Sequence, residues 1–256
     1  MKQQELFEKI ISKKEFSKLP KKDVKIALEK FDKEENTDYG KLKLTRNLLR
    51  KVFSSFSSRK LLNSKMNKEI NWYLMKHKST KERFPYYEEI YKRIFSGIKK
   101  CSVVDLGAGI NGLNFRVFRK IDLDVDYVAV EAVGQLVDLM NIFFKKNKLK
   151  GKAYHFSLFE IEKVKNLIKK QKKPRIVFLM KTIDSLEILK RDYSKELIEN
   201  IISLSDKIVL SFATRSIGSR RKFSANRNWI VKFIKENYKI EEDFELGGER
   251  YLVFCK

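Results

Sequence analysis

The segment Val103-Val104-Asp105-Leu106-Gly107-Ala108-Gly109 joins an apolar, β-branched run to a carboxylate and two glycines in G-x-G spacing. Glycine has no Cβ, so a strand ending in this turn can bend sharply and let a ligand approach its backbone. A carboxylate at the strand end, Asp105, can hold an ammonium group. Glu131 closes a second apolar run, 22 residues after Gly109. An acid at that spacing and strand end suits hydrogen bonds to ribose hydroxyls. A ribose and an ammonium group together point to S-adenosylmethionine, a cofactor without phosphate. A plain structural turn is the competing reading of the glycines.

These residues need a sheet to carry them. From Ser102 onward, short apolar runs alternate with helix-length segments: 102–106, 127–130, 153–156, 176–180, 208–212, 240–244 and 251–255. Strands separated by helices imply βαβ units and a mostly parallel sheet. The last two runs are joined only by residues 245–250, too few for a crossover helix, so they should form an antiparallel hairpin. The expected fold is α/β: a Rossmann-like seven-stranded sheet of the S-adenosylmethionine-dependent methyltransferase kind, preceded by an N-terminal helical domain. Apolar residues before position 100 fall at helical spacing, with a break expected at Asp38 and Gly40. Ser79-Thr80-Lys81-Glu82 has the form of a capping box that would open a helix running through Tyr86, Ile90 and Ile94.

Charge is the strongest global signal. The 57 Lys and Arg residues outnumber the 33 Asp and Glu, a net +24, which favours polyanionic partners. Residues 41–80 hold 11 basic residues against Glu69 alone, +10 of that total. A solvated surface usually mixes signs, so this stretch reads as facing phosphate. Arg46, Arg50, Lys51, Arg59 and Lys60 are its candidate RNA contacts. The organisation expected is a basic helical docking domain over 1–78 and a catalytic domain over 79–256. A chain lacking residues 1–76 should then still bind cofactor. No run of 18 apolar residues is present, and the first ten residues lack the apolar stretch of a signal peptide. Two cysteines, Cys101 and Cys255, suit a reducing cytoplasm and cannot make a Cys-rich metal site.

The chain resembles the 16S rRNA (guanine-1405-N7) methyltransferases, the aminoglycoside-resistance family. Four segments carry the likeness: His77-Lys78-Ser79-Thr80-Lys81-Glu82-Arg83; Val104 to Asn111; Phe178-Leu179-Met180-Lys181; and Ser211-Phe212-Ala213-Thr214-Arg215-Ser216-Ile217-Gly218. The resemblance spans roughly Lys76 to the C-terminus. It implies that His77, Thr80 and Arg83 line the cofactor site, with Arg83 facing the methionine carboxylate. It also implies that Gly107, Ala108 and Gly109 admit the cofactor, that Glu131 takes the ribose, and that Lys181 lies near the mouth. A loop over 214–222, with Arg215, Arg220, Arg221 and Lys222, would hold the target nucleotide. Where the family carries Cys, Asn-Pro and two further prolines, this chain has Ala108, Asn111-Gly112, Asp184 and Ala213.

The implied reaction is methylation of small-subunit rRNA at N7 of a decoding-region guanine. N7 has a lone pair and no proton to lose, so no catalytic base is expected. No Asp/Asn-Pro-Pro-Tyr/Phe segment stands ready for an exocyclic amine. The expected partner is the small ribosomal subunit, with the enzyme a monomer that uses neither membrane nor metal. Alternatives from the same residues are an RNA methyltransferase with a tRNA or other rRNA target, a small-molecule methyltransferase, and an inactive ribosome-assembly RNA-binding protein. His155 falls inside a strand pattern and reads as structural.

Overall fold

A computed structural model of the chain describes residues 3–32, 37–214 and 227–256. The N-terminal third is helical: α1 (Gln3–Ile11), α2 (Lys21–Glu29) and α3 (Asp38–Leu49), the last continuing into a π-helical turn over Arg50–Ser54. α1 buries Leu6, Phe7 and Ile10 and α2 buries Val24, Ala27 and Leu28; of the residues at helical spacing, Leu6, Ile10, Val24 and Leu28 are buried, while Ile11, Ile26 and Phe31 are half-buried. Thr37 caps α3 by accepting from the Gly40 amide at 3.1 Å. The break expected at Asp38 and Gly40 therefore lies ahead of them, because a capped first turn absorbs the glycine.

Four short helices come next: α4 (Arg59–Leu62), α5 (Ile70–Lys76), α6 (Lys78–Arg83) and α7 (Tyr87–Ile94). The capping-box reading does not hold. α6 starts at Lys78, before Ser79, and no side chain caps it. The Thr80 hydroxyl instead donates to the carbonyls of Leu74 at 2.6 Å and His77 at 3.0 Å, stitching the end of α5 to α6. Nor does one helix run through to Ile94. Pro85, with no N–H to donate, falls between α6 and α7.

The seven apolar runs are seven strands: β1 (Lys100–Leu106), β2 (Asp124–Glu131), β3 (Gly151–His155), β4 (Arg175–Met180), β5 (Lys207–Ala213), β6 (Lys239–Leu246) and β7 (Glu249–Cys255). Between them lie α8 (Arg116–Lys120), α9 (Gly134–Lys146), α10 (Ile161–Lys169), α11 (Ile183–Leu189), α12 (Tyr193–Ile201) and α13 (Asn228–Asn237). The strand order is β3-β2-β1-β4-β5-β7-β6, with β7 antiparallel to both neighbours and the β1 to β5 pairings parallel. β1, β4 and β5 are buried almost throughout, as strands covered on both faces must be. β6 is largely exposed and carries Glu241, Glu242, Asp243 and Glu245, charges suited to an edge.

The chain leaves β1 toward β2 and returns to β4 on the other side. This makes a topological switch point between β1 and β4, where open sheets bind ligands beyond the strand C-termini. The N-terminal helices pack onto that end. The Gly134 amide donates to the Lys18 carbonyl at 3.1 Å, and the Ser157 hydroxyl donates to Asp23 at 3.0 Å.

Candidate functional site

Beyond the strand ends lies a cavity with about 850 Å³ of space between atoms, the open solvent at its mouth included. His77, Thr80, Arg83, Asp105, Gly107, Ala108, Gly109, Glu131 and Lys181 all line it. Residues as far apart in the chain as His77 and Lys181 therefore meet in one cavity.

The glycine turn is held from both sides. Gly107 and Gly109 have φ of +75° and +56°, the left-handed region that favours glycine. A Cβ on Gly107 would come within 2.8 Å of the Thr182 side chain, and one on Gly109 within 2.7 Å of the His77 ring. The glycines thus make room for protein side chains. Gly112 stands three residues after Gly109, so the spacing is a complete G-x-G-x-x-G and cannot by itself distinguish a nucleoside cofactor from a dinucleotide. The conformation just past the turn does bear on that choice. Gly112 is packed against Phe144 and Tyr127, and Asn111–Asn114 form a 3-10 turn instead of a long helix whose N-terminus could receive a phosphate.

At one end of the cavity the charges are paired. Arg83 is buried, and its Nε donates to both carboxylate oxygens of Glu249 at 3.0 Å. Lys181 Nζ lies 2.6 Å from Glu82 and 3.1 Å from Glu249, and the Ser211 hydroxyl also donates to Glu249. Burial works to raise the Glu249 pKa. Arg83, Lys181 and the Ser211 bond outweigh it and hold the carboxyl below its ordinary value. Arg83 Nη2 is left buried without a hydrogen-bond partner among the described residues. His77 is also buried, its Nδ1 without a partner among the described residues. Burial, with Arg83 and Lys181 nearby, pushes its pKa down to about 3, so it is neutral at physiological pH. Lys181 has φ +57°, a strained conformation for a non-glycine residue, at the point where β4 delivers it to the site.

Toward β2, Asp105 accepts from Tyr127 at 2.5 Å and from Asn111 at 2.7 Å, both at Oδ2. Burial raises its pKa against those bonds. Glu131 accepts from the Gly109 amide at 2.7 Å and the Val133 amide at 2.8 Å. It too is raised by burial, with the backbone donors opposing. Ala132, Leu136, Leu158 and Phe159 give this end apolar walls.

A second groove, with about 1350 Å³ of space including open solvent, is lined by Lys13, Lys14, Arg50, Lys51 and Arg59 among others. Ser57 lines both cavities, so the basic groove adjoins the first site. Arg50 is also bonded to Glu15 at 2.9 Å and lies over the Phe16 ring. Arg46 is half-buried, donating to the Lys9 carbonyl, and neither it nor the exposed Lys60 lines the groove. Arg215, Arg220, Arg221 and Lys222 lie outside the described residues. At the edges of their segment, Arg227 pairs with Asp184 at 2.6 Å and donates to the Ala213 carbonyl at 2.9 Å, which accounts for an acid at position 184. His155 is exposed, bonded to the Ala132 carbonyl at 2.9 Å. Burial pushes the Cys101 thiol up to about 12, the opposite of an activated nucleophile.

Sequence reasoning missed Glu249, Asp23, Asn111 and Thr182. The Thr182 hydroxyl donates to the Leu106 carbonyl at 2.9 Å, joining β4 to the glycine turn. Asp23 alone among the four comes from the N-terminal helices.

The sheet order and the cavity at its switch point define the Rossmann-like methyltransferase fold. Solved structures agree. The 16S rRNA methyltransferase RmtF, crystallised with S-adenosyl-L-homocysteine, superposes with a TM-score of 0.81 at 18% identity over 100% of both chains. The 16S rRNA methylase RmtB gives 0.77 at 17% identity over 99% of this chain and 98% of its own. The ribosomal RNA methyltransferase (FmrO) family matches residues 63–230, well over half of the chain, and this chain belongs to that family. A 16S rRNA (guanine(1405)-N(7))-methyltransferase of Micromonospora echinospora is 30% identical over 185 residues, 70% of this chain and 63% of that protein. Its counterpart in Micromonospora rosea is 29% identical over 147 residues, 57% of this chain and 50% of the relative. The matched segment thus spans from half to under two thirds of these relatives' length.

Proposed function

We propose that the chain is an S-adenosylmethionine-dependent methyltransferase acting on N7 of a decoding-region guanine in small-subunit rRNA. One observation carries the cofactor reading. A single cavity gathers an unpartnered buried guanidinium nitrogen on Arg83, a carboxylate at the end of β1 and another at the end of β2. Those three groups match a carboxylate, an ammonium and a ribose. When bound, the cofactor supplies an already activated methyl group. Arg83 then orients the amino-acid carboxylate, Asp105 faces the ammonium group and Glu131 takes the ribose hydroxyls, so catalysis is chiefly alignment. No residue is assigned as a base, since guanine N7 surrenders no proton.

The rRNA assignment is supported by family membership, the relatives' names and the basic groove that meets the cavity at Ser57. In this reading residues 1–78 dock on the assembled subunit and 79–256 carry the chemistry. Asp23, Val52, Phe53, Phe56 and Ser57 line the cofactor cavity too, so the docking region also completes the site. Deletion of residues 1–76 is therefore expected to cost cofactor binding, contrary to the expectation from sequence. The protein is taken to act as a cytoplasmic monomer, consistent with the unpaired Cys101 and Cys255. No helix among the described residues is long and apolar enough to cross a membrane.

Calorimetry with S-adenosyl-L-homocysteine tests the cofactor reading. Binding should be 1:1, and Glu131→Ala should weaken it by about 1–3 kcal/mol, the loss when a buried hydrogen-bond partner goes missing. A folded wild-type protein that binds none of it contradicts the proposal.

A further inference from the structure

Asp23 is an oddity of α2. It stands in the helix's first turn, where an exposed acid already complements the helix dipole. Yet it is only 2% exposed and lines the cofactor cavity, while its neighbours Lys21 and Lys22 are exposed, Lys22 donating to the Phe159 carbonyl at 2.5 Å. Its Oδ1 accepts from the Ser157 hydroxyl at 3.0 Å, and that hydroxyl in turn accepts from the Phe159 amide at 3.1 Å. The carboxylate is thereby fixed in orientation by the loop after β3. Its Oδ2 is buried and has no hydrogen-bond partner among the described residues. A buried acceptor without a donor costs free energy that a bound ligand could recover.

The sheet order says which ligand group arrives there. Asp105 ends near the tip of β1, Glu131 ends β2, and Ser157 comes just after β3, in spatial sequence along the β1-β2-β3 edge. A nucleoside whose ribose rests on Glu131 extends its base past Ala132, between Leu136, Leu158 and Phe159, toward Asp23. Adenine presents an exocyclic amine at its outer edge. We infer that Asp23, delivered by the N-terminal helices, accepts a hydrogen bond from that amine and so selects adenine as the cofactor's base. This inference rests on the S-adenosylmethionine reading above. It makes the basic helical region part of cofactor recognition, because α2 cannot move away from the sheet without withdrawing Asp23. Burial, with Glu131 and Glu160 adding to it, pushes Asp23 up to about 7 against Ser157 and Lys22, so a donor reaching Oδ2 would favour the ionised carboxylate and bring that value down.

The test compares S-adenosyl-L-homocysteine with S-inosyl-L-homocysteine, in which a carbonyl oxygen replaces the amine. Wild-type protein should prefer the adenosyl ligand by roughly 10- to 100-fold. Asp23→Asn keeps the shape and an oxygen for Ser157 while offering an N–H₂ to the cavity, so it should compress or invert that preference. Asp23→Ala, which removes both the acceptor and the desolvated acid, should bring the ratio close to one. If Asp23 only ties α2 to the β3 loop, both variants weaken the two ligands equally and the wild-type ratio persists, which overturns the inference. Equal binding of the two ligands by the wild type overturns it without any variant, while leaving the cofactor reading intact. Failure to bind either ligand overturns both.

Discussion

At the Arg83 end of the cavity each buried charge meets a counter-charge, Arg83 and Lys181 against Glu249 and Glu82. At the other end, two carboxylates, Glu131 and Asp23, are buried with no cation within ion-pair distance among the described residues, and their partners are backbone amides and a serine hydroxyl. The contrast separates two kinds of recognition. An ionised network with one guanidinium nitrogen unused suits a charged ligand group. Desolvated acceptors without cations suit neutral donors such as hydroxyls and amines. The protein itself titrates differently at the two ends, so the comparison can be broken without any ligand.

The largest effect is expected at the paired end. Glu249→Gln leaves Arg83 buried without its counter-charge, and removing one member of a buried pair should destabilise the fold by about 3 kcal/mol in urea unfolding. Glu249 has a folded pKa below its unfolded value, so its contribution is present above the unfolded value and is lost as pH falls through the folded one. The variant's stability should therefore depend less on pH on the acid side than the wild type's. A loss under about 0.5 kcal/mol would mean that the network is not coupled as drawn.

The groove beyond Ser57 should respond to salt and not to cofactor. Lys51→Ala with Arg59→Ala removes two exposed groove cations. Small-subunit binding should lose roughly one to two units of log–log salt slope, as fewer counterions are released. The dissociation constant for S-adenosyl-L-homocysteine should stay within about twofold, a shift under roughly 0.4 kcal/mol. An unchanged salt slope would place the docking surface elsewhere.

At Asp23 the effect is expected with the opposite sign, and it develops only as pH rises. Its folded pKa, about 7, lies above the unfolded 3.8, so its contribution is present below the unfolded value and fades as pH rises toward 7. Lys22, Glu131 and Glu160 face it from its own helix, β2 and the turn before α10, and Tyr193 approaches from α12. Asp23→Asn removes the titration. The unliganded variant should melt several degrees above wild type near pH 8 and match it near pH 4 in scanning calorimetry. A constant offset across pH would show that burial does not control this carboxyl.

Much of the fold is legible in the sequence because it is periodic or local. Every strand but the charged edge strand β6 appears as an apolar run, and the hairpin is dictated by a connection too short for a helix. Glu131 can be found by its distance from the glycines. Glu249 and Asp23 cannot, since their partners lie 166 and 134 residues away and nothing near them in sequence marks burial. Asp23 sits among lysines and reads as part of a solvated helix. The capping box fails for a related reason: hydroxyl-rich spacing looks the same whether Thr80 caps a helix or bonds back to Leu74. The third glycine is in phase in the sequence, and only its packing against Tyr127 and Phe144 shows that it serves the core.

Methyl transfer to guanine N7 can be tested on the small subunit itself. Purified protein should be incubated with small ribosomal subunits and labelled S-adenosylmethionine, and the rRNA then cleaved at N7-methylguanosine and read by reverse transcription. One new stop is expected, at a decoding-region guanine, with assembled subunits labelled far better than naked rRNA. A folded protein that binds S-adenosyl-L-homocysteine yet leaves every guanine N7 in the subunit unmodified would contradict it.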